Sequence, residues 1–322
     1  MTFLLIAGGL VGLVAGGELL VRGAVSIAER LGVSPLMIGL TLVGFGTSTP
    51  ELVTSIQAAL AGSPGIAVGN VVGSNIANIL LILGIAALLR PVATTAAAFR
   101  RDGTVLVLAS LLGLWIVLAG SIGRGAGAAF VVLLLAYIVV TYLLERNDAS
   151  PSAQLHKAEA ELIPVPPSGS TPVALATLVG GLVLTVLGAR LLVDGAVDLA
   201  RDLGVSETVI GLTIVAVGTS MPELVTSVMA ARRGQSDVAF GNIVGSNIYN
   251  ILGILGVTAL VTPLAVPPEI ARFDIWVMLA ATAALVAAAV TGWRINRTEG
   301  ALLLAAYCGY LGYLTATATG IL

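Results

Sequence analysis

Ten apolar runs, each near the length of a membrane-crossing helix, divide this chain. They cover approximately Phe3 to Ala28, Pro35 to Leu60, Ile66 to Leu89, Gly103 to Ser121 and Ala126 to Leu144. The second set covers approximately Pro172 to Ala200, Glu207 to Ala231, Val238 to Val261, Phe273 to Thr291 and Gly300 to Leu322. The one long polar stretch, Glu145 to Thr171, is rich in Pro, Ser, Glu and Ala and has almost no apolar period. It reads as a linker between a first unit, 1–144, and a second, 172–322. No basic stretch precedes the first apolar run and no cleavage site follows it, so that run reads as a span, not a removable signal. The pattern predicts an all-α polytopic membrane protein.

Composition narrows the function classes. Hydrophobic residues make up 57% of the chain and charged residues 10%, against about 25% charged in soluble domains. The mean hydropathy is +1.06. With net charge -2 and no basic cluster beyond a pair, nucleic-acid binding is excluded. A single cysteine, Cys308, and a single histidine, His156, exclude a disulfide framework and a Cys- or His-based metal centre. The 39 glycines suit closely packed helices in lipid. The bilayer is the one partner implied; neither a cofactor nor an obligate protein partner is expected.

Basic residues are unequally shared between the two sets of loops. Arg30, Arg90, Arg100, Arg101, Arg146, Lys157, Arg232, Arg233, Arg294 and Arg297 fall on one side, and only Arg124, Arg201 and Arg272 on the other. The positive-inside rule then predicts a cell-membrane protein with a cytoplasmic linker and both termini outside.

The chain also repeats itself. Residues Gly8 to Val92 align without a gap on Gly180 to Leu264, at an offset of about 172 and with roughly three fifths of positions identical. Five spans per copy is an odd number, so the second copy enters the membrane from the opposite face. Two inverted five-helix repeats are the architecture of many secondary transporters, whose sites lie near the midplane at interrupted helices of both halves.

Two paired segments carry the chemistry. Gly46-Thr47-Ser48-Thr49-Pro50-Glu51 matches Gly218-Thr219-Ser220-Met221-Pro222-Glu223. Each puts a carboxylate inside an apolar span directly after a proline, which removes an N–H and frees the carbonyl four residues back. Such loosened backbone survives at membrane depth only in protein or beside water. The second segment, Gly69-Asn70 to Gly73-Ser74-Asn75-Ile76-Ala77-Asn78, matches Gly241-Asn242 to Gly245-Ser246-Asn247-Ile248-Tyr249-Asn250. Ser74 with Asn78, and Ser246 with Asn250, share a helical face. Crossing spans would gather two carboxylates, two amide oxygens, hydroxyls and carbonyls. An all-oxygen, doubly anionic cage selects hard cations such as Ca²⁺ and Na⁺. Since either load satisfies the same ligands, the ions compete, and competition with two-sided access gives exchange.

The paired Gly-Thr-Ser-x-Pro-Glu and Gly-Ser-Asn-Ile-x-Asn motifs closely resemble the two alpha-repeats of the sodium/calcium exchanger family, and the resemblance spans nearly the whole chain. It implies that Glu51 and Glu223 are central ligands shared by Ca²⁺ and Na⁺. Thr47 and Thr219 would add carbonyl or hydroxyl oxygens; Ser48, Ser74, Ser220 and Ser246 would complete flanking sodium sites. The carbonyls of Gly44 and Ala216 match further sodium-ligand positions, and Asn78 and Asn250 match the middle subsite. Some prokaryotic members carry Asp where this chain has Asn250, which alters the charge count there. The resemblance also implies that the first and sixth spans slide against the other eight.

Other readings compete. The nearest is a Ca²⁺/H⁺ antiporter of the same superfamily, in which the two Glu carry protons. A cation channel is a rival from another class; an intramembrane hydrolase would lack a histidine base or metal set. Thr54, Ser55, Thr226 and Ser227 read as structural. Asn75 and Asn247 lie off the stripe and read as satisfying broken-helix backbone, and Asn70 and Asn242 read as structural too. Glu18 with Arg22, and Arg190 with Asp194, read as structural i,i+4 pairs near the membrane boundary, with a gating role as the alternative.

Overall fold

The computed structural model describes residues 2–32, 44–94, 96–145, 171–234 and 236–319. The first half folds into α1 (Thr2–Arg30), α2 (Gly44–Thr47), α3 (Thr49–Leu60), α4 (Pro64–Leu89), α5 (Ala96–Leu118) and α6 (Arg124–Glu145). The second half contains α7 (Thr171–Leu203), α8 (Glu207–Thr219), α9 (Met221–Arg233), α10 (Val238–Val261), α11 (Ile270–Val290) and α12 (Arg297–Ala318). Among the described residues, 8 helices are long and apolar enough to cross a membrane, and α8 with α9, bent by 47°, makes up to 9. The remaining expected span, from Pro35 to Leu60, begins outside the described residues and continues as α2 and α3. Nearly all of the linker, including His156 and Lys157, also lies outside them. α5 starts well before the expected Gly103, because Arg100, Arg101 and Asp102 continue the helix and Arg101 pairs with Asp102 at 2.7 Å.

Local signals end these helices where the sequence permits. Gly234 closes α9 at φ 81°, a left-handed conformation in which a Cβ would be strained. Asn296 opens α12 with a capping box: its side chain accepts from the Thr298 and Glu299 amides, and Glu299 accepts from the Asn296 amide at 2.7 Å.

Two short ladders establish the inversion. β1 (Val92–Ala93) follows α4 and β2 (Ser121–Ile122) follows α5, so a 23-residue helix, about 35 Å long, sets them at opposite ends of the bundle. β1 pairs antiparallel with β4 (Arg294–Ile295), and β2 with β3 (Leu264–Ala265). By the internal repeat, β3 is the counterpart of β1 and β4 that of β2. Each counterpart therefore sits at the end opposite to its original. The second copy is upside down.

Burial sorts the helices into an inner and an outer set. In α4 and α10, 83% of the most apolar stretch is buried, against 33% in α1 and 28% in α7. α1 and α7 pack against each other at the outside, running antiparallel, and glycine makes that contact possible. A Cβ at Gly16 would lie 2.5 Å from the Thr185 amide nitrogen, and one at Gly23 would lie 2.5 Å from that of Leu178. Lipid supplies no hydrophobic drive between helices, so such close backbone approach is what holds the pair.

Gly16→Leu forces these backbones apart and is expected to destabilise the protein by about 1–3 kcal/mol, as overpacking does. Leu4→Ile, on the exposed face of α1, is expected to leave stability unchanged. Melting of the two purified variants in detergent checks this; equal melting temperatures would remove the close-packed α1–α7 seam from the account.

Candidate functional site

The site starts from two helix breaks. Ser48 separates α2 from α3 and Ser220 separates α8 from α9, with nearly the same backbone angles: φ -89°, ψ 7° and φ -81°, ψ 11°. Pro50 and Pro222 stand in the first turn after each break, where a missing N–H is tolerated. The carbonyls of Gly46 and Gly218, four residues earlier, have no helical donor in consequence. Glu51 and Glu223 follow in the same first turn, where the helix N-terminus favours negative charge. Both are 1% exposed.

The two halves then clasp each other. Ser48 Oγ donates to Glu223 Oε1 at 3.0 Å, and Ser220 Oγ donates to Glu51 Oε1 at 2.9 Å. Because each serine is three residues from the glutamate of its own half, the crossed bonds bring both carboxylates into one pocket. Ser246 Oγ also reaches Glu223 Oε1, at 3.5 Å, and Ser74 Oγ reaches the Ala216 carbonyl at 3.5 Å. Thr219 Oγ1 donates to Asn70 Oδ1 at 3.0 Å.

The amides come from α4 and α10. Each helix widens into a π-helical stretch, Ala77–Ile82 and Tyr249–Leu255, at matching positions of the two halves. Asn78 and Asn250 stand second in these stretches and are 1% exposed. π-bulges within α-helices frequently mark functional sites. Asn78 Nδ2 donates to Asn247 Oδ1 at 3.2 Å, a further link between the halves.

What is left unpaired defines the chemistry. Glu51 Oε2, Glu223 Oε2, Asn78 Oδ1, Asn250 Oδ1 and Thr47 Oγ1 are buried without a hydrogen-bond partner among the described residues. Four of these are carboxylate or amide oxygens, which only accept. An unsatisfied buried acceptor costs about 1–3 kcal/mol and a charged one more, and a cation would relieve each of these oxygens that it reached. Neither glutamate joins an ion pair among the described residues. The described residues also hold no cluster of three or more His, Cys, Asp and Glu. Two carboxylates among neutral oxygens suit a hard cation.

Hydrogen bonds thus gather these residues into two groups: Glu223 with Ser48 and Ser246, and Glu51 with Ser220 and, through Asn70, with Thr219, Ala216 and Ser74. Asn78 and Asn250 bring unpaired oxygens on the matching π stretches. Gly44 opens α2, one turn before Ser48. Asn70 is a structural amide. Its Nδ2 donates to the Glu51 carbonyl at 3.1 Å and to Ser55 Oγ at 3.0 Å, and Asn242 repeats this on Glu223 and Ser227. Asn75 and Asn247 depart from the sequence reading. Neither satisfies broken-helix backbone: Asn247 accepts from Asn78, and both side-chain polar atoms of Asn75 lack a partner. Sequence spacing on a regular helix could not reveal this, because the π stretch begins within three residues and changes the angle per residue.

A cavity of about 770 Å³ adjoins this cage, between α1 and α9, lined by Thr47, Pro50 and Asn242 and also by Glu18, Arg22 and Arg233. In the other half, α7 packs along α3. Glu18 and Arg22 form the expected ion pair. Arg190 and Asp194 do not: both are exposed, and neither makes a hydrogen bond or ion pair among the described residues.

Comparison with known proteins gives a consistent result. The model of the sodium/calcium exchanger protein family matches residues 1–143 and 173–316. The chain is 42% identical over 305 residues to the putative antiporter CaxA of Alkalimonas amylolytica, covering 94% of this chain and 95% of that protein. It is 37% identical to the sodium/calcium exchanger MaX1 of Methanosarcina acetivorans, covering 97% of both. A solved structure of the sodium-calcium exchanger NCX_Mj, soaked with 2.5 mM Na⁺ and 1 mM Sr²⁺, superposes with a TM-score of 0.65 at 32% identity, covering 97% of this chain and 99% of that one.

Asn70→Leu removes the bonds to the Glu51 carbonyl, Ser55 and Thr219, of which Ser55 keeps the Ala67 carbonyl and Thr219 the Ala216 carbonyl, and is expected to destabilise by about 1–3 kcal/mol. Asn242→Leu, at a half-buried position without the threonine contact, is expected to cost less. Thermal melting of both variants ranks them; the reverse order would contradict the bonding described.

Proposed function

The chain belongs to the sodium/calcium exchanger family, and from that premise we propose that it is a secondary-active antiporter in which Na⁺ and Ca²⁺ compete for one all-oxygen cage. Membership supports cation/Ca²⁺ exchange; the choice of Na⁺ as the counter-ion is our reading of the cage. The observation that carries it is the crossed Ser48–Glu223 and Ser220–Glu51 bonding, which leaves one oxygen of each carboxylate unpaired beside unpaired amide oxygens. Ca²⁺ takes about six to eight oxygens. Glu51 and Glu223 supply the charge; Asn78, Asn250, Thr47 and Thr219 supply neutral oxygens. Ser48, Ser74, Ser220 and Ser246, with the carbonyls of Gly44 and Ala216, extend the set into flanking positions suited to monovalent ions. Proton coupling has no use for those extra oxygens.

The cage binds one load at a time, since each load satisfies the same acceptors. Access then alternates as α1 and α7, joined through glycine, slide as a pair against the rest. Residues 1–144 and 172–322 form the two repeats, with 145–171 a cytoplasmic linker and both termini outside. On that orientation Arg232 and Arg233 mark the cytoplasmic face, and the cavity between α1 and α9 opens toward it.

The test is Ca²⁺ uptake into proteoliposomes under an imposed Na⁺ gradient and, separately, an imposed pH gradient. Uptake driven by Na⁺ alone is expected. Uptake driven by protons alone would move the chain to the Ca²⁺/H⁺ branch, and uptake with neither gradient would indicate a channel. In the same assay Glu51→Gln and Glu223→Gln are each expected to abolish transport while the purified protein stays folded; retained uptake in either would sink the assignment of the cage.

Asn250→Asp adds a third carboxylate to the cage. The expected outcome is a changed dependence of transport on pH with a smaller change in maximal rate, read from uptake across a pH series. An unchanged profile would take Asn250 out of the cage.

A further inference from the structure

The contacts between α1 and α7 fix how deep their charges lie. Gly9 abuts Leu192 and Gly188, Gly16 abuts Thr185, and Gly23 abuts Leu178, so the helices run antiparallel in one continuous register. The internal repeat pairs each residue of α1 with its counterpart in α7, and register and repeat coincide at Val14 and Val186. The pseudo-twofold axis crosses there, which is the midplane of an inverted repeat. Glu18 and Arg190 are each about one turn, or about 6 Å, from that level; Arg22 and Asp194 are one turn further out. These charges are therefore deep in the membrane and not at its boundary, where the spacing alone had set them.

Charges at such depth are rare and face a wet cavity or a partner. Glu18 and Arg22 line the cavity that leads to Thr47 and Pro50, beside the cage. Their side chains are 59% and 35% exposed, and Arg22 Nε is buried without a partner. At the counterpart positions of the second half, the order of charges is reversed: Arg190 is nearer the centre and Asp194 further out. On one face an anion stands nearest the cage; on the other, a cation does.

We propose that these four residues are access-path residues that make the two faces unequal, Glu18 favouring Ca²⁺ arriving through the α1–α9 cavity and Arg190 opposing Ca²⁺ arriving from the other face. Arg22 holds the Glu18 carboxylate when no cation is passing. The inference rests on the exchange reading and on nothing about which ion is the counter-ion.

The test is half-saturation by Ca²⁺ measured from each face of proteoliposomes of known orientation, with labelling of Arg232→Cys marking the cavity-side face. Wild type is expected to half-saturate at a lower Ca²⁺ concentration from that face. Arg190→Glu with Asp194→Arg gives both halves the same charge order. It is expected to lower half-saturation from the opposite face about fivefold, the order of a two-unit charge change at position 190 screened by solvent and partly offset by the opposite change one turn further out, with the cavity-side value and the maximal rate unchanged. Glu18→Gln, at an exposed position, is expected to raise only the cavity-side value, and it serves if the double variant fails to fold. A change equal on both faces, or none on either, overturns the proposal. Because Ca²⁺ alone is followed, coupling to protons in wild type would overturn the Na⁺ reading while leaving this asymmetry readable.

Discussion

Everything at the centre of this protein depends on two carboxylates buried without a basic partner among the described residues. Moving one such charge out of water costs several kcal/mol even after relaxation, and Glu51 and Glu223 are both 1% exposed. The crossed serines satisfy one oxygen of each and no more. The pocket is consequently unfavourable when empty and both groups are ionised, since like charges held close repel. Closing over an empty cage costs more than closing over a loaded one. On the proposed reading this difference separates exchange from leak, because movement between the two faces is favoured only with a cation on board.

The rest of the fold supplies oxygens to that pocket without exposing backbone to lipid. Breaks at Ser48 and Ser220 release carbonyls, and they are tolerated because the inner helices α4 and α10 cover them. Inversion does the remaining work. One sequence design, used twice and upside down, delivers its serine to the other half's glutamate, so neither half is a complete site. A pocket built this way cannot form until both repeats are in place, which ties folding of the two halves together.

Much of the cage was legible because its signals are local. A Pro-Glu pair within an apolar span, present twice at one offset, is enough to identify the carboxylates and the helix breaks. Inversion follows from an odd number of spans, and the β1–β4 and β2–β3 ladders bear it out. What escaped reading depends on geometry that periodicity assumes away. The π stretches after Ile76 and Ile248 change the angle between neighbours, so Asn247 meets Asn78 across the halves. The i,i+4 spacing of Arg190 and Asp194 permits an ion pair but does not require one, and none forms among the described residues. Their depth was equally hidden, since it is set by which glycine of α1 meets which residue of α7.

A nearly symmetric sequence has here taken an asymmetric shape, and the asymmetry is informative. α7 lies against α3, while the counterpart space between α1 and α9 is a cavity of about 770 Å³. Were the halves identical, exchanging these two arrangements would give a second structure of equal energy, open at the opposite face. The α1–α7 seam can survive that exchange unchanged, because its register is symmetric about Val14 and Val186. On the proposed reading, the pair moves as one body and opens one gap as it closes the other. Departures from identity, such as Glu18 against Arg190, are then the places where the energies of the two states, and the welcome each gives a cation, differ.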